Sequence, residues 1–140
     1  MVGKFPIILV CGSLCLPACN TDSIGKTYPV KGKVYLDGVL LKTGWVGFFP
    51  DDSEGAPAFE AAGKIKQDGT YELSTRGKPG ALLGRYKVTV ILQSRVEPNR
   101  AGDVMSLVPR AYTNKETTPL KVEVIENPED GKYDLQMSSN

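Results

Sequence analysis

Ala58-Phe-Glu-Ala-Ala-Gly-Lys-Ile-Lys-Gln-Asp-Gly-Thr-Tyr-Glu-Leu-Ser74 decides the fold. Phe59, Ala61 and Ile65 stand in phase before Asp68-Gly69, and Tyr71 and Leu73 resume the alternation after it. Successive side chains of a strand point to opposite faces, so alternating apolar and polar residues mark a half-buried strand. Asp-Gly between two such runs is a strong hairpin signal, because both residues tolerate the backbone angles of a tight turn. The stretch predicts a strand over 58–67, a turn, and a strand over 70–74.

The same pattern extends in both directions. Upstream, Tyr28-Pro-Val-Lys-Gly-Lys-Val-Tyr-Leu36 places Val30, Val34 and Leu36 on one face and ends at a second Asp-Gly, residues 37–38. Trp45-Val-Gly-Phe-Phe49 is a further strand, closed by Pro50, with Val46 and Phe48 inward. Downstream, Arg76 to Gly84 reads as a Gly/Pro loop, and Arg85 to Ser94 as a strand with Tyr86, Val88, Val90 and Leu92 in phase. Residues 97–118 are irregular; 119–125 carries Leu120, Val122 and Val124, and 132–137 carries Tyr133, Leu135 and Met137. About seven strands at ~10-residue spacing, without helical periodicity, predict an all-β, two-sheet antiparallel sandwich. A barrel is the alternative architecture.

One motif occurs twice. Gly32-Lys-Val-x-x-Asp-Gly38 returns as Gly63-Lys-Ile-x-x-Asp-Gly69. We read it as one strand-to-turn solution used twice, with each strand glycine marking a bulge or a close backbone approach. Gly84-Arg85-Tyr86 has the form of a tyrosine corner, in which the hydroxyl bonds nearby backbone.

The N-terminus has a different composition. Lys4 precedes an apolar run from Phe5 to Leu16, which has the length of a secretory h-region and is too short to span a bilayer. The run ends in Leu16-Pro17-Ala18-Cys19. Ordinary cleavage sites want small residues at −3 and −1. Leu16 fails that requirement but, with small Ala18 before Cys19, resembles the lipobox of bacterial lipoproteins. A thiol is the natural nucleophile for forming a thioether with a diacylglyceryl group. The reading divides the chain into a signal peptide over 1–18, a lipidated polar tether over 19–27 and a β-sandwich over 28–138. Cys11 and Cys15 would leave with the signal, and Cys19 would carry lipid, so the mature domain has no free thiol and no disulfide.

Composition narrows the function. The 140 residues hold 17 Lys+Arg, 16 Asp+Glu and no histidine, for a formal charge of +1. Lys4 is the only charge before Cys19, so the mature side chains sum to zero. No basic cluster supports nucleic-acid binding. Without histidine, Ser-His-Asp and Cys-His catalysis and His-bearing zinc sites are excluded. We expect no catalytic residues, no metal and no cofactor. The acidic loop Asp51-Asp52-Ser53-Glu54-Gly55 lacks EF-hand spacing and reads as a solvated inter-strand loop. Candidate ligand or partner contacts are Trp45, the sole tryptophan, and Arg95, Arg100, Arg110 and Tyr112 around the long irregular stretch. Arginine and aromatic side chains are favoured where binding energy concentrates.

Four pieces fall in a recognisable order. They are Val30-x-Gly32-x-Val34-x-x-Asp37-Gly38; Gly63-x-x-x-x-Asp68-Gly69-x-Tyr71-x-Leu73-x-Thr75; Gly80-x-x-x-Gly84-x-Tyr86-Lys87-Val88-x-Val90; and Pro109-x-x-Tyr112 continuing to Thr117-Thr118-Pro119-Leu120-x-Val122-x-Val124. Together they resemble the small lipoproteins of planctomycete-type bacteria that carry a carboxypeptidase-regulatory-like, or transthyretin-like, β-sandwich. The resemblance implies a non-catalytic domain. With lipid on Cys19 the expected partners are a membrane, through that lipid, and an envelope protein or glycan. A ureide hydrolase shares the transthyretin-like fold, but that activity relies on histidines, which this chain lacks.

Overall fold

The computed structural model describes residue 3 and residues 24–53, 55–92 and 108–139. The expected all-β sandwich is present. Its strands are β1 (Lys31–Leu36), β2 (Val39–Leu40), β3 (Trp45–Pro50), β4 (Ala61–Lys64), β5 (Thr70–Glu72), β6 (Ser74–Thr75), β7 (Lys78–Pro79), β8 (Gly84–Ile91), β9 (Lys121–Val124) and β10 (Leu135–Met137). A single 3-10 turn, Arg110–Thr113, interrupts the stretch before β9 among the described residues.

One sheet is built around β1, with β10 on one side and β2 and β5 sharing the other. The second runs β7-β6-β4-β3-β8-β9. Alternation selects the core between them. Val30, Val34, Tyr71, Tyr133, Leu135 and Met137 face Val46, Phe48, Ala61, Tyr86, Val88, Val90 and Val124. Phe48 packs tilted against Tyr86 and Tyr71, with ring centroids 5.6 Å and 6.3 Å apart.

Three expectations are corrected. The sandwich is not wholly antiparallel: β10 pairs parallel to β1, Val34 opposite Leu135. Such a pairing joins residues a hundred positions apart and leaves no local mark. Second, the strand over 70–74 changes sheets in its middle. The Leu73 amide donates to the Val30 carbonyl (3.1 Å), while the Leu73 carbonyl accepts from Gly80 (2.8 Å). Third, the stretch 76–84 is not all loop. Arg76 and Gly77 both have positive φ (48° and 82°) between the paired residues Thr75 and Lys78, forming a type I′ hairpin. A non-glycine residue rarely adopts that conformation, so Arg76 hid the turn.

The two Asp-Gly motifs also diverge. Asp37 and Gly38 both take positive φ (51° and 81°) between paired Leu36 and Val39, a two-residue type I′ turn. At Asp68-Gly69 only the glycine is left-handed, φ 82°. Its amide donates to Lys66 (2.9 Å), the Lys66 amide to Thr70 (2.8 Å), and Asp68 Oδ1 accepts from the Thr70 amide (3.0 Å) and hydroxyl (2.6 Å). This is a three-residue loop with a glycine bulge. The strand glycines do share one role, close backbone approach. A Cβ on Gly32 would meet the Tyr133 carbonyl, and one on Gly63 the Glu72 carbonyl.

The tyrosine corner is present: Tyr86 Oη donates to the Leu82 carbonyl at 2.8 Å. Burial pushes the Tyr86 phenol up to about 12. Tyr71, which donates to the Tyr133 carbonyl, is driven up further by burial and by the nearby Asp134 charge.

The chain packs against the domain before Tyr28. Ile24 is buried, Lys78 Nζ donates to the Gly25 carbonyl (2.7 Å), and Thr27 Oγ1 donates to the Pro79 carbonyl (2.7 Å). Tyr28 and Ala81 exchange both backbone hydrogen bonds. The polar spacer expected through Thr27 is therefore seated on β7 from Ile24 onward.

Candidate functional site

Outward-facing residues of the six-stranded sheet follow from its register. Ile91, Trp45 and Lys64 form one row across β8, β3 and β4; Thr89, Gly47 and Ala62 form the next, continued by Ser74 on β6; Lys87 and Phe49 follow. The middle row is small, so the sheet has a shallow floor there. Gly47 has no side chain because the Phe49 ring occupies its place: a Cβ would meet Phe49 Cε2 and Thr89 Oγ1, both at 2.9 Å. Thr89 is buried beneath this cover.

An open groove of about 730 Å³ lies over this floor. Gly47, Ala62 and Ser74 line it, with Phe49 and Phe59 as aromatic surface. Each ring carries a cation. The Arg76 guanidinium sits 4.4 Å from the Phe59 ring centre, and Lys115 Nζ 5.7 Å from that of Phe49. Cations favour aromatic faces because the ring quadrupole is negative there. Glu60 also lines the groove. Among the described residues neither Arg76 nor Lys115 has a salt bridge.

Lys87, beside Phe49, is paired with Asp52 (2.8 Å). The hydrogen bond and charge of Lys87 hold the Asp52 carboxyl below its ordinary range, and Asp52 raises the Lys87 ammonium. The acidic loop thus spends one carboxylate on the sheet. Among the described residues, no group of three or more acidic, cysteine or histidine side chains is placed to hold a metal ion.

Phe59 was expected inward with Ala61. The chain is irregular through 55–60 and enters β4 only at Ala61, so alternation does not extend back to Phe59. Half-buried Phe59 lines the outer groove instead.

Of the sequence-selected contact residues, the described ones do not line the groove; Trp45 and Arg110 lie instead on either side of Ile91, which pairs with Trp45 and lines Arg110's hollow. Trp45 is 41% exposed on the outer face, beside Ile91, one row from the groove floor. Arg110 lines a second hollow with Leu92, Val108 and Thr117. Tyr112 is half-buried against the core, and its hydroxyl accepts from the Ser138 amide (3.1 Å), a structural task. Leu16, Ala18, Cys19, Arg95 and Arg100 lie outside the described residues. Sequence reading missed Gly47, Phe59, Arg76 and Lys115. Only Gly47 left a sign, a glycine inside the apolar run Trp45–Phe49.

The observed class is an all-β two-sheet sandwich with an open, aromatic and cationic outer groove. Compared with known proteins, the chain matches no family model, no curated protein and no solved structure.

Proposed function

We propose that this chain is an exported, non-enzymatic lipoprotein of the cell envelope. Its signal is removed before Cys19, acyl chains on that cysteine hold it to a membrane, and its sandwich serves as a structural or interaction module. The observation that carries the reading is Leu16-Pro17-Ala18-Cys19 closing a 12-residue apolar run. The ordered motifs from Val30 to Val124 support placing the domain with the carboxypeptidase-regulatory-like lipoproteins. A neutral mature domain has little net charge with which to hold a membrane, so acyl chains would supply the attachment. Expression in a bacterium fed labelled palmitate tests it. Label should enter the wild-type chain and be absent from Cys19→Ala, which should leave the detergent phase; equal labelling of both would overturn the reading.

A second reading, a carbohydrate- or small-ligand-binding module, is favoured by the groove. Phe49 and Phe59 offer aromatic surface, and Arg76 and Lys115, in no salt bridge among the described residues, offer cations over those rings. Calorimetric titration with neutral and uronic-acid oligosaccharides tests it. Binding that Phe49→Ala and Arg76→Gln weaken supports it; no heat across the panel overturns it.

A further inference from the structure

We infer that the corner built by residues 24–28, the Arg76-Gly77 turn and Leu83 is the membrane-facing surface of the domain, and that it meets the headgroups of an anionic bilayer. The inference rests on lipidation at Cys19.

The first argument is reach. Ile24 is buried, and the chain from there is fixed to β7 by Lys78 on the Gly25 carbonyl and Thr27 on the Pro79 carbonyl, and to the segment after β7 by the Tyr28–Ala81 bridge. The contact is close: a Cβ on Gly80 would meet the Tyr28 carbonyl. Only residues 20–23 separate Cys19 from this docked segment. Five Cα steps span at most ~18 Å. A lipidated Cys19 therefore keeps this corner close to the headgroups, whereas a spacer free to Thr27 would let the domain tumble.

The second argument is chemistry. Lys26, Arg76 and Lys78 are exposed at this corner, and among the described residues none is in a salt bridge. Lys78 spends its ammonium on a backbone carbonyl, and Lys26 lies over the Tyr28 ring, 4.9 Å from its centre. Leu83 is 43% exposed, next to Leu82, whose side chain a Cβ on Gly25 would meet. Basic residues beside exposed apolar side chains suit the bilayer interface.

The third argument is direction. β1 runs away from the corner, and its far turn, Asp37-Gly38, lies nine extended residues beyond Tyr28, ~30 Å at the usual strand rise. Val39, 69% exposed, marks that distant end. The outer groove, which includes Arg76, begins at the near corner and opens along the sheet.

The test uses the full-length lipidated chain. Once Cys19 is acylated no other thiol remains in the mature protein, so Leu83→Cys and Val39→Cys each accept one fluorophore. Both sites are exposed, and circular dichroism checks the fold. The proteins are reconstituted in phosphatidylcholine vesicles, with and without phosphatidylglycerol, containing headgroup-nitroxide lipid. The Leu83 label should be quenched several-fold more than the Val39 label, with larger contrast on anionic vesicles. Lys26→Gln with Arg76→Gln should abolish the gain from phosphatidylglycerol. Each charge near an anionic surface changes partitioning by about fivefold. Mass spectrometry of the same sample separates the failures. An acylated chain with equal quenching at both sites overturns the orientation alone; an unacylated Cys19 overturns the lipoprotein reading and the orientation with it.

Discussion

Along β3 the inward residues Val46 and Phe48 have no solvent exposure, while outward-facing Trp45 is 41% exposed and Gly47 and Phe49 are half-buried. Both faces come from one six-residue strand. The inner face is completed by neighbours that repeat the same alternation, Val90 opposite Val46 and Val88 opposite Phe48. The outer face is completed by Phe59, Arg76 and Lys115, which reach it from irregular segments and turns. Local periodicity therefore specifies the core, whereas the groove depends on chain folding back from a distance.

The largest expected effect lies on the inner face. Phe48→Ala removes a ring packed on Tyr71 and Tyr86 and should cost about 3–5 kcal/mol in urea unfolding. Phe49→Ala, next in sequence, should cost far less; similar losses would break the contrast between the faces.

Gly63→Ala should follow, at about 1–3 kcal/mol, because the added methyl meets the Glu72 carbonyl, part of the backbone, which cannot rotate aside. Gly38→Ala sits in open space and carries only the strain of its left-handed conformation. If Gly63→Ala were neutral, close approach would not explain the repeated strand glycine.

Tyr86→Phe keeps the ring and removes the bond to Leu82, at about 1 kcal/mol near neutral pH. The phenol also sets a pH dependence. Its pKa rises from the ordinary 10 to about 12, so above pH 10 the unfolded chain releases a proton that the folded chain keeps. Its contribution is full below pH 10 and is lost as pH rises through about 12. Wild type should lose more stability than Tyr86→Phe across that window; parallel melting curves would show that the corner is not the cause.

The smallest expected effect is at the surface. Lys87→Met should leave stability nearly unchanged, because its partner Asp52 is largely exposed and solvent screens the pair. Asp52 should then titrate at higher pH, measurable by NMR; an unmoved Asp52 would show that the pair does not persist in solution.

These differences explain what was legible. Val30, Val34, Val46, Phe48, Tyr86, Val88, Val90, Leu135 and Met137 announced themselves by period-2 spacing, and all are buried. Tyr86 announced its corner through Gly84-Arg85-Tyr86. Identical Asp-Gly dipeptides gave different turns because flanking register, not the dipeptide, sets loop length. Phe59 fell outside the periodic region, Arg76 adopted a backbone conformation unusual for its type, and Lys115 reached Phe49 from sixty-six residues away. None of these has a local signature. The Leu16–Cys19 motif is the reverse case, legible in sequence and outside the described residues.

Lipidation at Cys19 is tested most sharply by the intact mass of the mature chain extracted from membranes. The expected mass is that of a chain beginning at Cys19 and carrying a diacylglyceryl thioether. A chain that retains residues 1–18, or one that begins at an unmodified Cys19, would contradict it.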